Sequence, residues 1–177
     1  GKEENKFVNL DMEEYRDINI TMDAFMQTLS QEKFYSLEAG IVLQSYLPDT
    51  LENLKKLVTW AKERVEKGGV AIKIRLVKGA NQEMELTESS LRNWPCVTYL
   101  NKAETDANFK ILMDYLIDEK VVPYVHVGIA SHNLFDHALA MLLARERGVE
   151  AYCSAEMLEG MSETAYHVLK NEGLNVI

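Results

Sequence analysis

Short apolar runs alternate with longer amphipathic stretches along the whole chain. Runs rich in β-branched and aromatic residues predict six strands, at 6–10, 39–46, 70–77, 122–129, 150–154 and 175–177, the last of them cut by the chain end. Between these runs, apolar residues at helical spacing predict helices at about 21–29, 51–65, 104–120, 133–147 and 162–172. Glycines at 68, 148 and 173 agree with three of the predicted helix ends.

Strands that alternate with helices predict an α/β fold with a parallel sheet, because a parallel connection needs a crossover that is usually a helix. Two architectures satisfy the pattern, an open doubly wound sheet and an arc of a (βα)8 barrel. The length of 177 residues favours the open sheet, since a whole barrel takes about 250 residues. No repeat, linker or low-complexity stretch interrupts the chain, so we predict a single domain over 1–177.

Polar side chains follow five successive predicted strands, and this distribution favours the barrel. They are Asp11, Gln44, Arg75 with Lys78, His132 with its neighbours Ser131 and Asn133, and Glu156. An open sheet usually concentrates its site at one switch point, whereas a barrel gathers all of its strand ends around one mouth. We therefore expect these side chains to surround a single site.

The strand AIKIRLV places three apolar side chains on one face and directs Lys73 and Arg75 to the other. The apolar face should pack on helices, so the cations point into the interior, where they are costly unless an anionic or electron-rich group meets them. Two interpretations stay open. Arg75 forms an ion pair with Asp11 or Glu156, or it meets a ligand that the small residues Gly79-Ala80 allow to approach closely.

Other strand ends also allow two interpretations. Asp11 lies in the acidic stretch LDMEEYRD, which suits a solvated helix start as well as a catalytic carboxylate. Gln44 interrupts an apolar strand, so its buried amide needs either neighbouring backbone or the edge of a heteroaromatic ring. His132 accompanies a helix start that Ser131 or Asn133 caps, or it contacts a ligand.

Composition excludes several classes of function. The net charge of −9 argues against nucleic acid as a partner, because phosphate binding needs basic surface. The polar start GKEENK is not a secretory or transit signal, and no run approaches the about 20 apolar residues of a membrane span. Cys96 and Cys153 lack the spacing of a metal site or disulfide framework, which favours a reducing cytoplasm. His126 is predicted to be an interior polar group, and no metal site is predicted.

Five motifs, in this order and spacing, resemble the proline dehydrogenase family, most of all the flavoprotein domain of bifunctional proline utilization proteins. They are LQSYLPD, RLVKGAN, NKAETDANFK, ASHN and AEMLEGM, and the resemblance extends from FVNLDMEE to NVI. It implies a distorted (βα)8 barrel with FAD at the mouth, and oxidation of L-proline to 1-pyrroline-5-carboxylate with electrons passed to a quinone. It also implies a cytoplasmic protein at the surface of the inner membrane, with an aldehyde dehydrogenase domain in the parent chain.

The resemblance assigns roles by position. Asp11 matches the active-site aspartate, and Arg75 matches the arginine beside the flavin N5, where a cation favours the negative charge that develops as hydride arrives. Leu158 matches an apolar residue near the substrate ring. The positions that match contacts to FAD are Met12, Gln44, Arg75, Lys78, Gly79, Ala80, Lys102, Ser131, His132, Asn133 and Glu156.

By the family's order of elements, the chain begins at the third barrel strand and stops inside the eighth. Such a segment lacks the first strands and the last helix, and its open edges and apolar surface predict poor activity or self-association into a homo-oligomer. Two alternatives stay open. The chain is a non-catalytic fragment without FAD, or an unrelated (β/α) enzyme whose Arg75 and Lys78 hold a phosphate.

Overall fold

The computed structural model describes residues 6–158 and 160–177, and the predictions for the polar start at 1–5 and for Glu159 of the AEMLEGM motif lie outside them. The strands are β1 (Val8–Leu10), β2 (Ala39–Gln44), β3 (Ile72–Val77), β4 (Val125–Ala130) and β5 (Cys153–Glu156). The α-helices are α1 (Ile18–Leu29), α2 (Thr50–Glu66), α3 (Gln82–Arg92), α4 (Lys102–Leu116), α5 (Leu134–Arg147) and α6 (Glu163–Asn171). Short 3₁₀ turns lie at Tyr15–Asp17, Glu32–Phe34 and Glu150–Tyr152.

The five strands form one parallel sheet in the order β1-β2-β3-β4-β5, which confirms the predicted α/β fold. Consecutive strands are neighbours throughout, so the described sheet lacks the reversal of strand order that creates a switch point in a doubly wound fold. The predicted sixth strand is reduced to an isolated bridge between Ala155 and Val176. Backbone hydrogen bonds still join residues 175–177 to the edge of β5.

The two faces of β3 differ as its parity predicts. Ile72, Ile74 and Leu76 are at most 1% exposed and belong to the hydrophobic core. That core also contains apolar residues of α2 and α4, so this face of the sheet is the one covered by helices. Lys73 and Arg75 are partly buried on the opposite face, which we call the polar face.

Helix α3 was not predicted, because its sequence QEMELTESSLR has no apolar stripe. Its buried residues are Glu85 and Ser89, while Met84 and Leu91 are exposed. A helix whose buried positions are polar cannot be detected from hydrophobic periodicity. The predicted helix bounds also shift, since α1 begins at Ile18 and α4 covers 102–116 instead of 104–120.

Local polar groups explain several boundaries. Asn101 caps α4 by accepting a hydrogen bond from the backbone N–H of Ala103 at 2.8 Å. Asn133 caps α5 in the same way through Phe135, at 3.0 Å, which confirms one of the two caps considered for this helix. The prediction that His126 is interior is wrong: it lies within β4 but is exposed, with its ring 5.5 Å from that of Tyr152.

Candidate functional site

Arg75 meets both of the acids that the sequence offered as partners. Its Nε donates to Glu156 Oε2, and its Nη1 lies 3.2 Å from Asp11 Oδ1. Lys73 Nζ lies 2.5 Å from the other oxygen of Glu156. These four residues, which we call the Arg75 cluster, join the end of β1 to β3 and β5. The ion-pair interpretation of Arg75 is therefore observed, with the two acids acting together.

Burial decreases in steps across the Arg75 cluster. The side chain of Glu156 is 5% exposed, those of Lys73 and Arg75 are 15% and 32% exposed, and that of Asp11 is 70% exposed. One buried carboxylate is thus shared by two cations, while the second carboxylate stands in solvent. A charge-assisted pair is strongest away from water, so buried Glu156 holds Arg75 through its Nε. The more exposed end of the guanidinium lies beside Asp11.

Gly128 of β4 provides the space for Glu156. It lies beside Arg75 in the sheet register, and a Cβ at this position would overlap Glu156 Oε1 and come within 2.9 Å of Lys73 Cε. The sequence analysis did not single out this glycine. A glycine inside a strand indicates that another group approaches the backbone closely. The sequence therefore contained this indication at Gly128, but it could not show that the approaching group is Glu156.

Gln44 connects β2 to the loop that carries Asp11 and Met12. Its Nε2 donates to the carbonyl oxygens of Met12 and Glu13 at 3.0 and 3.3 Å, and Met12 itself is buried. Its Oε1 is buried and has no hydrogen-bond partner among the described residues. The backbone interpretation of Gln44 is therefore observed for the donor half of the amide, and it does not account for the acceptor half.

A second group of charges lies at the ends of β3 and β4. Lys78 Nζ lies 2.7 Å from Asp106 Oδ1 and 2.9 Å from Asp136 Oδ2, and Lys102 Nζ lies 2.5 Å from Asp106 Oδ2. Ser131 Oγ donates to the same oxygen of Asp136 at 2.8 Å. We call these five residues the Lys78 network. Among the described residues, no ion pair joins this network to the Arg75 cluster.

The charges of the Lys78 network stabilise one another. Burial lowers the pKa of Lys78, but hydrogen bonds to Asp106 and Asp136 outweigh burial and leave that pKa above its ordinary value. Hydrogen bonds from Lys102 and then from Lys78 hold the pKa of Asp106 below its ordinary value. Each ionised form is therefore favoured by its partners.

The Ser131-His132-Asn133 segment is organised as a helix start. Ser131 Oγ accepts a hydrogen bond from the backbone N–H of Asn133 at 3.1 Å, and His132 is exposed. His137, from which the sequence predicted nothing, is 1% exposed and its Nε2 lies 2.6 Å from the carbonyl oxygen of Ser131. Burial lowers the pKa of His137, so a neutral imidazole donates this bond.

The remaining predicted site residues lie in backbone segments after the strands. Gly79 has a φ of 118°, and a Cβ there would come within 2.6 Å of the ring of Tyr46. Both the backbone conformation and the lack of space therefore require glycine at this position. Ala80 follows it at the surface. Leu158 lies two residues beyond Glu156 and is 66% exposed.

Comparisons with known protein sequences all point to one family. The sequence profile of the proline dehydrogenase family matches residues 1–177. A curated proline dehydrogenase of Deinococcus radiodurans is 29% identical over 176 residues, which are 99% of this chain and 49% of that protein. The chain thus spans about half the length of this curated relative.

Solved structures of proline utilization A proteins contain the same fold. The protein from Corynebacterium freiburgense is 48% identical with a TM-score of 0.92, and the match covers 97% of this chain and 18% of that one. The protein from Bdellovibrio bacteriovorus, inactivated by N-propargylglycine, is 34% identical with a TM-score of 0.88, and the match covers 96% and 17%. The identification made from the five motifs is confirmed, and the chain belongs to the proline dehydrogenase family.

Proposed function

We propose that this chain is the part of an FAD-dependent proline dehydrogenase that carries the cofactor side of the active site. The reaction is the oxidation of L-proline to 1-pyrroline-5-carboxylate, the first step of proline breakdown to glutamate. The observation that supports it best is the Arg75 cluster, because an anchored guanidinium is held at the polar face with its open side beside a carboxylate. Membership of the family supplies the reaction class.

We further propose that the described sheet is an arc of a (βα)8 barrel within a single domain. Five parallel strands in sequential order, helices on the apolar face and charges on the opposite face are what consecutive barrel strands require. The mouth of such a barrel would bring Asp11, Gln44, Lys78, Ser131 and Glu156 around one site.

The residues present suit FAD. The unpartnered Oε1 of Gln44 can accept a hydrogen bond from a ring N–H, and the Gly79-Ala80 step brings backbone close to a planar ligand. When bound, FAD accepts the hydride that leaves proline. The residues that would hold it are Met12, Gln44, Arg75, Lys78, Gly79, Ala80, Lys102, Ser131, His132, Asn133 and Glu156.

Arg75 and Asp11 have different roles in this proposal. The Arg75 guanidinium stabilises negative charge that develops at the hydride acceptor, and Glu156 with Lys73 keeps it in place. The Asp11 carboxylate is exposed and can accept a hydrogen bond from the substrate nitrogen, whose proton must leave before hydride transfer is easy. Leu158 would contact the substrate ring.

Several partners follow from the same proposal. They are a quinone at the membrane surface that accepts the electrons, and an aldehyde dehydrogenase domain that consumes the product. No helix among the described residues combines the length and apolarity needed to cross a membrane. Association of several copies would cover the open edges of the sheet.

An absorbance experiment tests the cofactor and the substrate separately. The purified chain is mixed with FAD, desalted and scanned, and then scanned again after addition of L-proline. A retained flavin band that proline bleaches supports the whole proposal, and a retained band that does not bleach supports the cofactor site alone. Absence of the band contradicts the cofactor site and favours the non-catalytic fragment.

The phosphate-binding alternative receives no comparable support from the geometry. Arg75 is engaged by Glu156 and Asp11, whereas Lys78 is engaged by Asp106 and Asp136. A phosphate would have to displace carboxylates from both cations. Protection of the chain against thermal unfolding by a phosphate ester would revive this alternative.

A further inference from the structure

We propose that Glu85 of α3 is a positioning residue that holds the loop of residues 11–15, and with it Asp11, beside Arg75. This inference rests on the proposed function for its catalytic meaning, but its structural basis is independent. The backbone N–H of Tyr15 donates to Glu85 Oε1 at 2.7 Å, although the two residues are 70 positions apart. Neither the sequence motifs nor the family resemblance pointed to Glu85.

The environment of Glu85 is unusual for a glutamate on a polar helix. It is 7% exposed, and it forms no salt bridge with any of the described residues. A buried carboxylate without a cation is costly unless hydrogen-bond donors satisfy it. The recorded donor to its side chain is the backbone of the loop, so the same bond that satisfies Glu85 also restrains the loop.

The loop is held from a second side by Gln44. The Gln44 side-chain amide donates to the carbonyl oxygens of Met12 and Glu13, whereas Glu85 accepts from the N–H of Tyr15. Because one partner binds carbonyls and the other binds an N–H, the loop cannot turn over or slide by one residue without breaking both sets of bonds. The Tyr15 hydroxyl adds a 2.6 Å bond to Asp49 at the start of α2.

Asp11 depends on this restraint because its own side chain is weakly held. It is 70% exposed, and its Oδ1 contacts Asn9 Nδ2 at 3.0 Å and Arg75 Nη1 at 3.2 Å. Exposed ion pairs contribute little to the position of a flexible side chain. A shift of about 1 Å in a catalytic group can cost on the order of 100-fold in rate, so fixing the backbone next to Asp11 has catalytic value.

Hydrogen–deuterium exchange of the peptide that contains residues 11–17 tests the restraint directly and needs no cofactor. We expect Glu85→Ala to accelerate exchange of the Tyr15 amide by roughly tenfold or more, since it removes a charge-assisted acceptor. Glu85→Gln keeps an acceptor oxygen and should restore most of the protection. Glu83→Ala, on an exposed residue of the first turn of the same helix, is the matched control and should change nothing.

Unchanged exchange at Tyr15 in a folded Glu85→Ala variant would overturn the proposal. If Glu85→Ala does not fold, Glu85→Gln compared with Glu83→Gln decides, because the weaker neutral acceptor should still accelerate exchange by about threefold. Equal exchange in that pair would also overturn it.

A second measurement separates this proposal from the proposed function. In the chain loaded with FAD, Glu85→Ala should slow bleaching by L-proline about tenfold or more at saturating proline while leaving FAD retention unchanged, and Glu85→Gln should recover the rate. Faster exchange without slower bleaching would show that the restraint is only structural and would overturn the positioning role. If the wild-type chain retains no flavin, the proposed function fails for this chain and the exchange result alone decides the restraint.

Discussion

The Arg75 cluster and the Lys78 network each contain two cations and two carboxylates, but they differ in which of these charges is buried. In the first, two cations share one buried carboxylate, and the remaining acid, Asp11, is exposed. In the second, a partly buried lysine lies between two carboxylates, one of which is only 4% exposed. The cluster therefore leaves a cation with an open side, whereas the network satisfies its own charges.

This difference indicates which region is suited to chemistry. A charge that several neighbours satisfy stabilises the fold and responds less to charge that develops in a ligand. A charged group that is held by a buried partner on one side and is accessible on the other can interact with a ligand that enters the site. Little reorganisation is needed when the ligand arrives, because the protein has already positioned the group. This comparison supports our proposal that the Arg75 cluster is the reactive region, while the Lys78 network, whose members would contact FAD in that proposal, also holds the ends of β3 and β4 together.

The largest predicted effect is the loss of stability when the buried carboxylate of the Arg75 cluster is removed. Glu156→Ala leaves Lys73 and Arg75 without their shared acid, so we expect the free energy of unfolding to fall by about 3–5 kcal/mol. Glu156→Gln keeps polar contacts and should cost less. Urea denaturation monitored by circular dichroism measures both, and equal stability of Glu156→Ala and wild type would mean that the pair is not an anchor.

Filling the space beside the anchor should have the next largest effect. Gly128→Ala places a Cβ against Glu156 Oε1, and we expect a loss of about 1–3 kcal/mol in the free energy of unfolding. The same change in a Glu156→Ala background should cost clearly less, because the overlapping group is gone. Additive costs in this double-mutant cycle would contradict the overlap as the cause.

Within the Lys78 network, the more buried lysine should contribute more to the free energy of unfolding. Lys78→Met removes a cation from Asp136, a buried carboxylate, so we expect a loss of about 1–3 kcal/mol in the free energy of unfolding. Lys102→Met is the matched control: the Lys102 side chain is 81% exposed, and its loss should cost less than about 1 kcal/mol. Similar costs for the two variants would contradict the division into buried support and exposed periphery.

The smallest predicted effect is the dependence of stability on pH in the acidic range. Because the pKa of Asp106 is lowered in the folded chain, first by Lys102 and then by Lys78, its contribution is complete above the ordinary value of about 3.9 and is lost as the pH falls below it. Buried His137, whose pKa is lowered first by burial, already contributes less to stability as the pH falls below about 6.5. The difference in the free energy of unfolding between wild type and Asp106→Asn measures the contribution of this aspartate alone. That difference should decrease only below about pH 3.9.

Sequence patterns predicted those features of the fold that depend on neighbours in the chain. Alternation in AIKIRLV correctly assigned the two faces of β3, and five sequence motifs were sufficient to identify the family. Asn133 was one of the two cap candidates that the sequence offered, because capping is a local bond, and the structure selected it. The roles assigned to Asp11, Arg75 and the FAD contacts stay predictions.

Other features could not be predicted because their signal is not periodic. Helix α3 buries polar residues, so its sequence resembles a solvated loop. His126 occupies the middle of a strand but lies exposed beside Tyr152, because strand position does not determine what covers a face.

The sequence by itself determined the order of strands and helices, the apolar face of the sheet, the family, and which residue types stand at the strand ends. Only the tertiary structure decided that Glu156, 81 residues from Arg75, is its partner, that Gly128 makes room for that pair, and that Glu85 reaches the backbone of Tyr15. The physical reason is that side-chain periodicity is a property of local backbone geometry. The pairing of buried charges depends instead on which distant strands the packed core brings side by side.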